Sequence, residues 1–338
     1  MTWAATLGLT LCTACAPSPC APLAAGAARV GTSSPSPNRL LVIGDTQRTL
    51  WAEKWFLCRE SAEASRCRHR EELLAQGAPW LLHLGDAVAW GASERDWQDF
   101  DQWFEPLARA GVRLRGVRGN HDVLGATSQA RRLWDARFGD SGTRSWWSWT
   151  WQGLLVLGLD SELAEGSRDE LEQRRWFAEQ LDSPRRHPPA GVLVVSHRPP
   201  YTNSPLVEGS RPLREHYVAE FCRASSALLW LSGHAHGYER FEMGAAQGCP
   251  SGVGPLTFVV SAGGGGPRPD HLRSAQETGW VDVITEPAPR PWNFLVLERE
   301  GPALHLQSLG FDEPSAPLRL IDESRLALRG TGGVDAAR

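Results

Sequence analysis

Five short apolar runs in this chain each end in a turn carrying side chains of the types that bind metals, and that repetition constrains the fold more than any other feature. Residues 40–43 run into Gly44-Asp45-Thr46-Gln47, residues 80–84 into Gly85-Asp86, and residues 112–117 into Gly119-Asn120-His121-Asp122. Residues 192–195 lead to Ser196-His197, and residues 227–231 to Gly233-His234-Ala235-His236. Short, largely apolar runs of this length, bounded by turn residues, have the pattern of buried strands. Open α/β sheets bind ligands beyond the carboxyl ends of their strands. The five turns therefore predict one site assembled from distant parts of the chain.

Amphipathic stretches separate the runs. Residues 94–107 place Trp97, Phe100, Phe104 and Leu107 on one helical face behind a candidate N-cap at Ser93. Ser167 and Glu170 form a capping-box pattern, with Leu171, Phe177 and Leu181 following at helical spacing before Pro184. Strand–helix alternation predicts an α/β core. Residues 144–150, rich in Trp, and residues 257–308 read instead as antiparallel strands. Trp146, Trp147, Trp149 and Trp151 fit a strand packing on the core better than a stacking platform for a ligand. One domain is expected over 39–310, with 311–338 a weakly patterned C-terminal tail.

The first residues read differently. Residues 3–16 form an apolar run too short to span a bilayer, ending in small residues and Cys12-Thr13-Ala14-Cys15. Residues 1–16 are expected to be an export signal resembling the bacterial lipoprotein type, with Cys15 as the lipidated residue. Cys12 stands where such signals usually carry Leu, and no Lys or Arg precedes the run. Residues 17–38, rich in Pro, Ser, Ala and Gly, read as a tether. A periplasmic or outer-membrane-anchored bacterial location follows, with membrane contact only through the anchor. Export would permit Cys58–Cys67 and Cys222–Cys249 to close as disulfides, although sequence does not fix the pairing. The net charge of −4 provides no surplus for neutralising a nucleic-acid backbone.

The residue types in the five turns suit two hard cations beside a phosphate. Such ions take oxygen and imidazole ligands rather than thiolates. Carboxylates offset the repulsion between two cations, and the i,i+2 spacing of His234 and His236 puts both imidazoles on one side of an extended segment.

The series GDTQ, GD, GNHD, SH and GHAH resembles the calcineurin-like metallophosphoesterase superfamily over residues 39–310. The resemblance implies two facing mixed sheets flanked by helices, a four-layer sandwich. It places Asp45, Gln47, Asp86 and His236 on one metal and Asp86, Asn120, His197 and His234 on a second, with Asp86 bridging. It implies that a metal-bridging hydroxide attacks phosphorus. His121 would stabilise the phosphoryl oxygens and protonate the leaving oxygen, with Asp122 orienting its ring. Asn120, His121 and Arg198 are the expected substrate contacts. Mn, Fe, Zn, Co or Ni would each suit the mixed N and O ligands.

Two positions depart from family patterns. Gln47 stands where His is usual. Ser232–Arg240 and His197-Arg198-Pro199-Pro200-Tyr201 look like purple acid phosphatase-type enzymes, yet those carry a Tyr ligand where this chain has Ala89. That excludes an iron–tyrosinate centre. The expected activity is hydrolysis of a small phosphomonoester, with a phosphodiesterase, a nuclease and a non-catalytic metal- or phosphate-binding protein as the rivals. His83 is expected to be a hydrogen-bonded core residue and Gly263–Gly266 a close packing contact. His69, His187, His216 and His271 receive no role.

Overall fold

A computed structural model describes residues 36–50, 55, 60–139, 144–182, 188–249 and 254–329. Within it the apolar runs form two six-stranded sheets. The first holds β1 (Arg39–Ile43), β2 (Trp80–His83), β3 (Arg113–Gly116), β10 (Trp292–Glu300), β11 (Ala303–Phe311) and β12 (Arg319–Ala327), in the order β12-β11-β10-β1-β2-β3. The second holds β4 (Trp147–Trp151), β5 (Leu154–Gly158), β6 (Gly191–Ser196), β7 (Ala227–Ser232), β8 (Tyr238–Met243) and β9 (Leu256–Ser261), in the order β4-β5-β6-β7-β9-β8. Both are mixed. β1-β2-β3 and β5-β6-β7-β9 run parallel, while β10, β11, β12, β4 and β8 pair antiparallel.

Strand alternation explains the layers. Along β1, Leu40 and Val42 face inward and pack with Leu193, Val195, Leu229 and Leu231 of the opposite sheet. Leu41 and Ile43 face outward, against a layer containing Leu73, Trp97, Phe100 and Trp134. These belong to helices α1 (Glu63–Gln76), α2 (Glu94–Arg109) and α3 (Thr127–Phe138). On the far side, Leu155, Leu157, Val194 and Trp230 pack with Phe177 of α4 (Arg168–Asp182), Leu213 and Phe221. Strands covered on both faces read as continuous apolar runs rather than alternating ones, which is why the sequence displayed them so clearly. The expected four-layer sandwich is present.

Local signals hold with one refinement. Ser93 Oγ accepts from Asp96 N (3.2 Å) and caps α2. Ser167 Oγ accepts from Glu170 N (3.3 Å), but the Glu170 carboxylate takes the N–H of Gly166 (3.1 Å) instead of completing a box on Ser167. Trp147, Trp149 and Trp151 belong to or pack on the inter-sheet core, as an edge strand requires.

Of the expected tail at 311–338, the described residues 311–329 are not separate from the domain. Residues 319–327 form β12, paired with β11 from Ala303↔Ala327 to Gly310↔Arg319. Its alternating half-exposed pattern with Arg319, Asp322, Glu323 and Arg325 is that of an edge strand. Such a strand lacks the apolar run that marks the central ones. Asp322 also accepts from Tyr238 Oη (2.7 Å) and Arg240 Nε (2.8 Å), tying the edge to the second sheet. The expected signal (1–16), most of the tether (17–38) and Cys58 lie outside the described residues. Ser36 already docks, donating from Oγ to Glu298 (2.8 Å).

Cys222 and Cys249 form a disulfide with Cα atoms 5.2 Å apart, and Cys67 is also disulfide-bonded. Closing the 27-residue separation removes chain entropy from the unfolded state. Paired Ser substitutions at Cys222 and Cys249 are expected to cost about 2–4 kcal/mol, read as a lower Tm by calorimetry. An unchanged Tm would mean that the loop is restrained without the bond.

Candidate metal centre

Every predicted ligand lies at or just beyond the end of a strand. Asp45 follows β1, Asp86 follows β2 and Asn120 follows β3, all in the first sheet; His197 follows β6, and His234 and His236 follow β7, in the second. Four of them adopt left-handed backbone, with φ of 59° at Asp45, 56° at Asp86, 73° at His234 and 51° at His236. Each such residue costs roughly 1–2 kcal/mol, and strain of this kind collects where function requires it. The turns are held by crossed backbone bonds: Asp45 N donates to Gly85 O (2.9 Å), Gln47 N to Asp86 O (3.1 Å), and Gly233 N to His197 O (2.9 Å).

One half of the centre gathers around His197. Its Nδ1 lies 2.9 Å from the Leu84 carbonyl, so it carries the hydrogen and leaves Nε2 as the ligating atom. Nε2 lies 3.1 Å from Asn120 Oδ1, 3.0 Å from His234 Nδ1 and 3.4 Å from Asp86 Oδ2. The other half gathers around His236, whose Nδ1 faces the Pro267 carbonyl at 3.1 Å and whose Nε2 lies 3.6 Å from Asp45 Oδ1. Gln47 is satisfied when its amide nitrogen donates to the carbonyls of Asp45 and Asp86, 3.0 Å each. Its carbonyl oxygen then turns toward His236. The two Asp45 oxygens also accept from His234 N at 3.0 Å, joining the halves.

The donor set fits cations. Asp86 Oδ2 is buried and has no hydrogen-bond partner. An orphaned carboxylate oxygen is costly unless a positive charge meets it, and Asp86, His197 and His234 present ligand atoms all within 4.8 Å of one another. Electrostatics agree. Burial pushes the Asp45 carboxyl well above its usual range, helped by Asp86. Burial opposes charge on His197, yet the carboxylates of Asp86 and Asp45 raise its imidazole to about 10. Burial and the neighbouring His197 press His234 down to about 2. The buried carboxylates of the cluster thus favour a positive charge among them, which a bound cation would supply.

His121 sits beside this set. Its N–H donates to Asp86 Oδ1 (2.8 Å), and its Nδ1 lies 2.9 Å from the Ala89 carbonyl, leaving Nε2 available. The expectation that Asp122 orients this ring is overturned. Asp122 instead accepts from the N–H groups of Asp86 (2.9 Å), Ala87 (2.9 Å), Val88 (3.3 Å) and Gly119 (2.9 Å), fastening two ligand loops together. A short acidic side chain beside a turn satisfies backbone donors more readily than it reaches a neighbouring ring. The Ala89, Leu84 and Pro267 carbonyls, which set three ring orientations, leave no mark in sequence. Arg198 reaches the centre's edge, with Nη1 3.4 Å from His234 Nε2. His83 is the core residue expected, fully buried with Nε2 2.9 Å from Thr46 Oγ1.

Two glycines are required by close approach. A Cβ on Gly119 would stand 2.1 Å from Asp86 Oδ1, and one on Gly266 would stand 2.5 Å from the His236 ring. The glycine run therefore does pack against the centre.

Glu239, just beyond His236, is fully buried, accepting from Thr202 Oγ1 (2.6 Å) and Asn203 N (3.0 Å). Burial pushes its carboxyl up to about 7 from 4.5. A raised pKa stabilises the fold below the unfolded value and loses that contribution as pH rises through the folded one. Glu239→Gln should therefore gain about 1–3 kcal/mol over the wild type at pH 8 and little at pH 5, measured by denaturant titration. Equal effects at both pH values would refute this.

Together these features define a two-sheet scaffold with a site for a pair of cations. The chain belongs to the calcineurin-like phosphoesterase family, whose model matches residues 38–238. No curated protein matches it in sequence. Among solved structures, the purple acid phosphatase PPD1 from yellow lupin (Lupinus luteus) seeds superposes with a TM-score of 0.63 at 16% identity, over 86% of this chain and 54% of that one. This chain thus spans about half of the lupin enzyme. GAP50, described as the anchor in the inner membrane complex of Plasmodium, gives 0.61 at 13% identity over 86% and 88%. A dimetal phosphatase from Danio rerio gives 0.53 at 15% over 86% and 100%. At these identities the likeness is one of fold.

Proposed function

We propose that the protein hydrolyses a small phosphomonoester. The observation that carries this reading is the orphaned Asp86 Oδ2 within reach of His197 and His234. Asp45, Gln47, Asp86 and His236 would hold one cation and Asp86, Asn120, His197 and His234 the other. Bound there, the pair would acidify a water molecule and neutralise charge on phosphoryl oxygens. Arg198 Nη1, facing the same space, would donate to a phosphoryl oxygen. His121, held through Nδ1 by Ala89, would present Nε2–H to the leaving oxygen. As the water oxygen joins phosphorus and the bond to the alcohol oxygen breaks, that alcohol leaves with the His121 proton.

Monoester preference is supported by the likeness of residues 197–201 and 232–240 to acid phosphatases. The charge of −4 disfavours a nucleic-acid polymer. The same reading includes export, supported by the Cys222–Cys249 disulfide, which an oxidising compartment permits. The test is turnover of p-nitrophenyl phosphate against bis-p-nitrophenyl phosphate, with metals returned singly after chelation. Preference for the monoester is expected. Preference for the diester would replace the substrate class, and inactivity of fully loaded protein on both would favour a binding role.

A further inference from the structure

The loop after β5 carries side chains outside the ligand set that converge on it. Asp160 Oδ1 accepts from Glu162 N (3.0 Å), Ser161 Oγ accepts from Arg198 N (3.0 Å), and the Glu162 carboxylate grips the Arg198 guanidinium. In that grip Arg198 Nε donates to Oε1 at 2.9 Å and Nη2 to Oε2 at 2.8 Å. The Glu162 side chain is 8% exposed and that of Arg198 38%, so the acid is the fixed partner. A two-point pair of this kind fixes direction as well as distance. The one guanidinium nitrogen it leaves over, Nη1, is the one turned toward His234.

Arg198 and His234 also line a cavity of about 430 Å³, within the range of small-molecule sites. Its walls include Asp160, Glu165, Glu170 and Glu208, and among the described residues Arg198 is its only Lys or Arg. The cations that balance three of these acids, Arg118 at 3.5 Å from Asp160, Arg211 at 3.8 Å from Glu165, and Arg174 at Glu170, are not part of the wall. The space is therefore bordered by a guanidinium beside the candidate centre and by several carboxylates.

Resting on the phosphomonoester reading above, we infer that Glu162 is a positioning residue that sets Arg198 at the border of the phosphoryl group, and that the adjoining cavity takes the alcohol portion of the substrate. That alcohol is compact and brings hydrogen-bond donors, an ammonium group above all. An anionic alcohol would meet the carboxylates.

The test uses the metal-loaded protein. Glu162→Ala is expected to raise KM for p-nitrophenyl phosphate about tenfold, the scale of one charge-assisted hydrogen bond, with a much smaller change in kcat and unchanged metal content. Calorimetric binding of inorganic phosphate should weaken in parallel. Glu162→Asp should recover part of the loss, and Glu162→Ala added to Arg198→Ala should cost nothing further. Glu162→Gln, which keeps the shape, serves if the alanine variant does not fold. An unchanged KM, or an equal penalty without Arg198, overturns the positioning role. For the cavity, O-phosphoethanolamine should be turned over with a higher kcat/KM than phosphoglycolate; the reverse order overturns the subsite. A wild type whose phosphate binding through Arg198 depends on Glu162, yet which hydrolyses no ester, would sink the hydrolytic reading and leave the positioning role standing.

Discussion

Asp86→Ala is expected to strip the centre of metal and lower hydrolysis by at least about 10³-fold, the range seen when an electrostatic stabiliser of the transition state is removed. The reason is the number of tasks the side chain performs. Oδ1 holds the backbone of His121, Oδ2 faces His197 and His234 without a hydrogen-bond partner, and Gly119 packs against the carboxylate. Asp86 is also the chief source of the high His197 pKa once burial is overcome. Asp86→Asn separates these tasks, because the amide oxygen can still accept from His121 N but brings no charge. Metal content by elemental analysis beside activity gives the answer. Retention of both cations by either variant, at normal activity, would remove Asp86 from the centre.

His121→Ala should behave in the opposite way on metal content. It is expected to keep the cations and lose turnover by about 10²–10⁴-fold, the usual worth of a general acid. The ring is fastened by Ala89 O, not by any member of the His197 cluster, so its removal leaves the ligand atoms in place. The loss should be smaller for p-nitrophenyl phosphate than for an alkyl phosphate, because a good leaving group needs its proton less. Loss of metal from His121→Ala would contradict the separation of roles.

How much of this was legible beforehand follows from burial and locality. Strands covered on both faces announce themselves as unbroken apolar runs, and the ligands at their ends carry side chains with few other uses. Asp45, Asp86, His197, His234 and His236 were readable for that reason, Asn120 from its Gly-Asn-His-Asp turn after an Arg-containing edge strand, and the structure gathers them. β12 was not, because an edge strand that is wet on one side shows only weak alternation. Asp122 was assigned to the wrong partner, since sequence adjacency to His121 says nothing about four N–H groups brought in from the β2 and β3 loops. Glu162 was missed altogether. Its link to Arg198 spans two loops of different strands, and an acidic residue in a polar turn has no local signature.

Asp86 and Asn120 extend from one sheet and His197 and His234 from the other, and the apolar layer between the sheets lies behind them. Whatever fills their common space clasps both halves of the sandwich, so occupancy and resistance to heat become one linked quantity. Melting temperature should climb with free cation concentration in the manner of any ligand that prefers the native chain. The protein's unfolding curve would then report how much metal its surroundings provide.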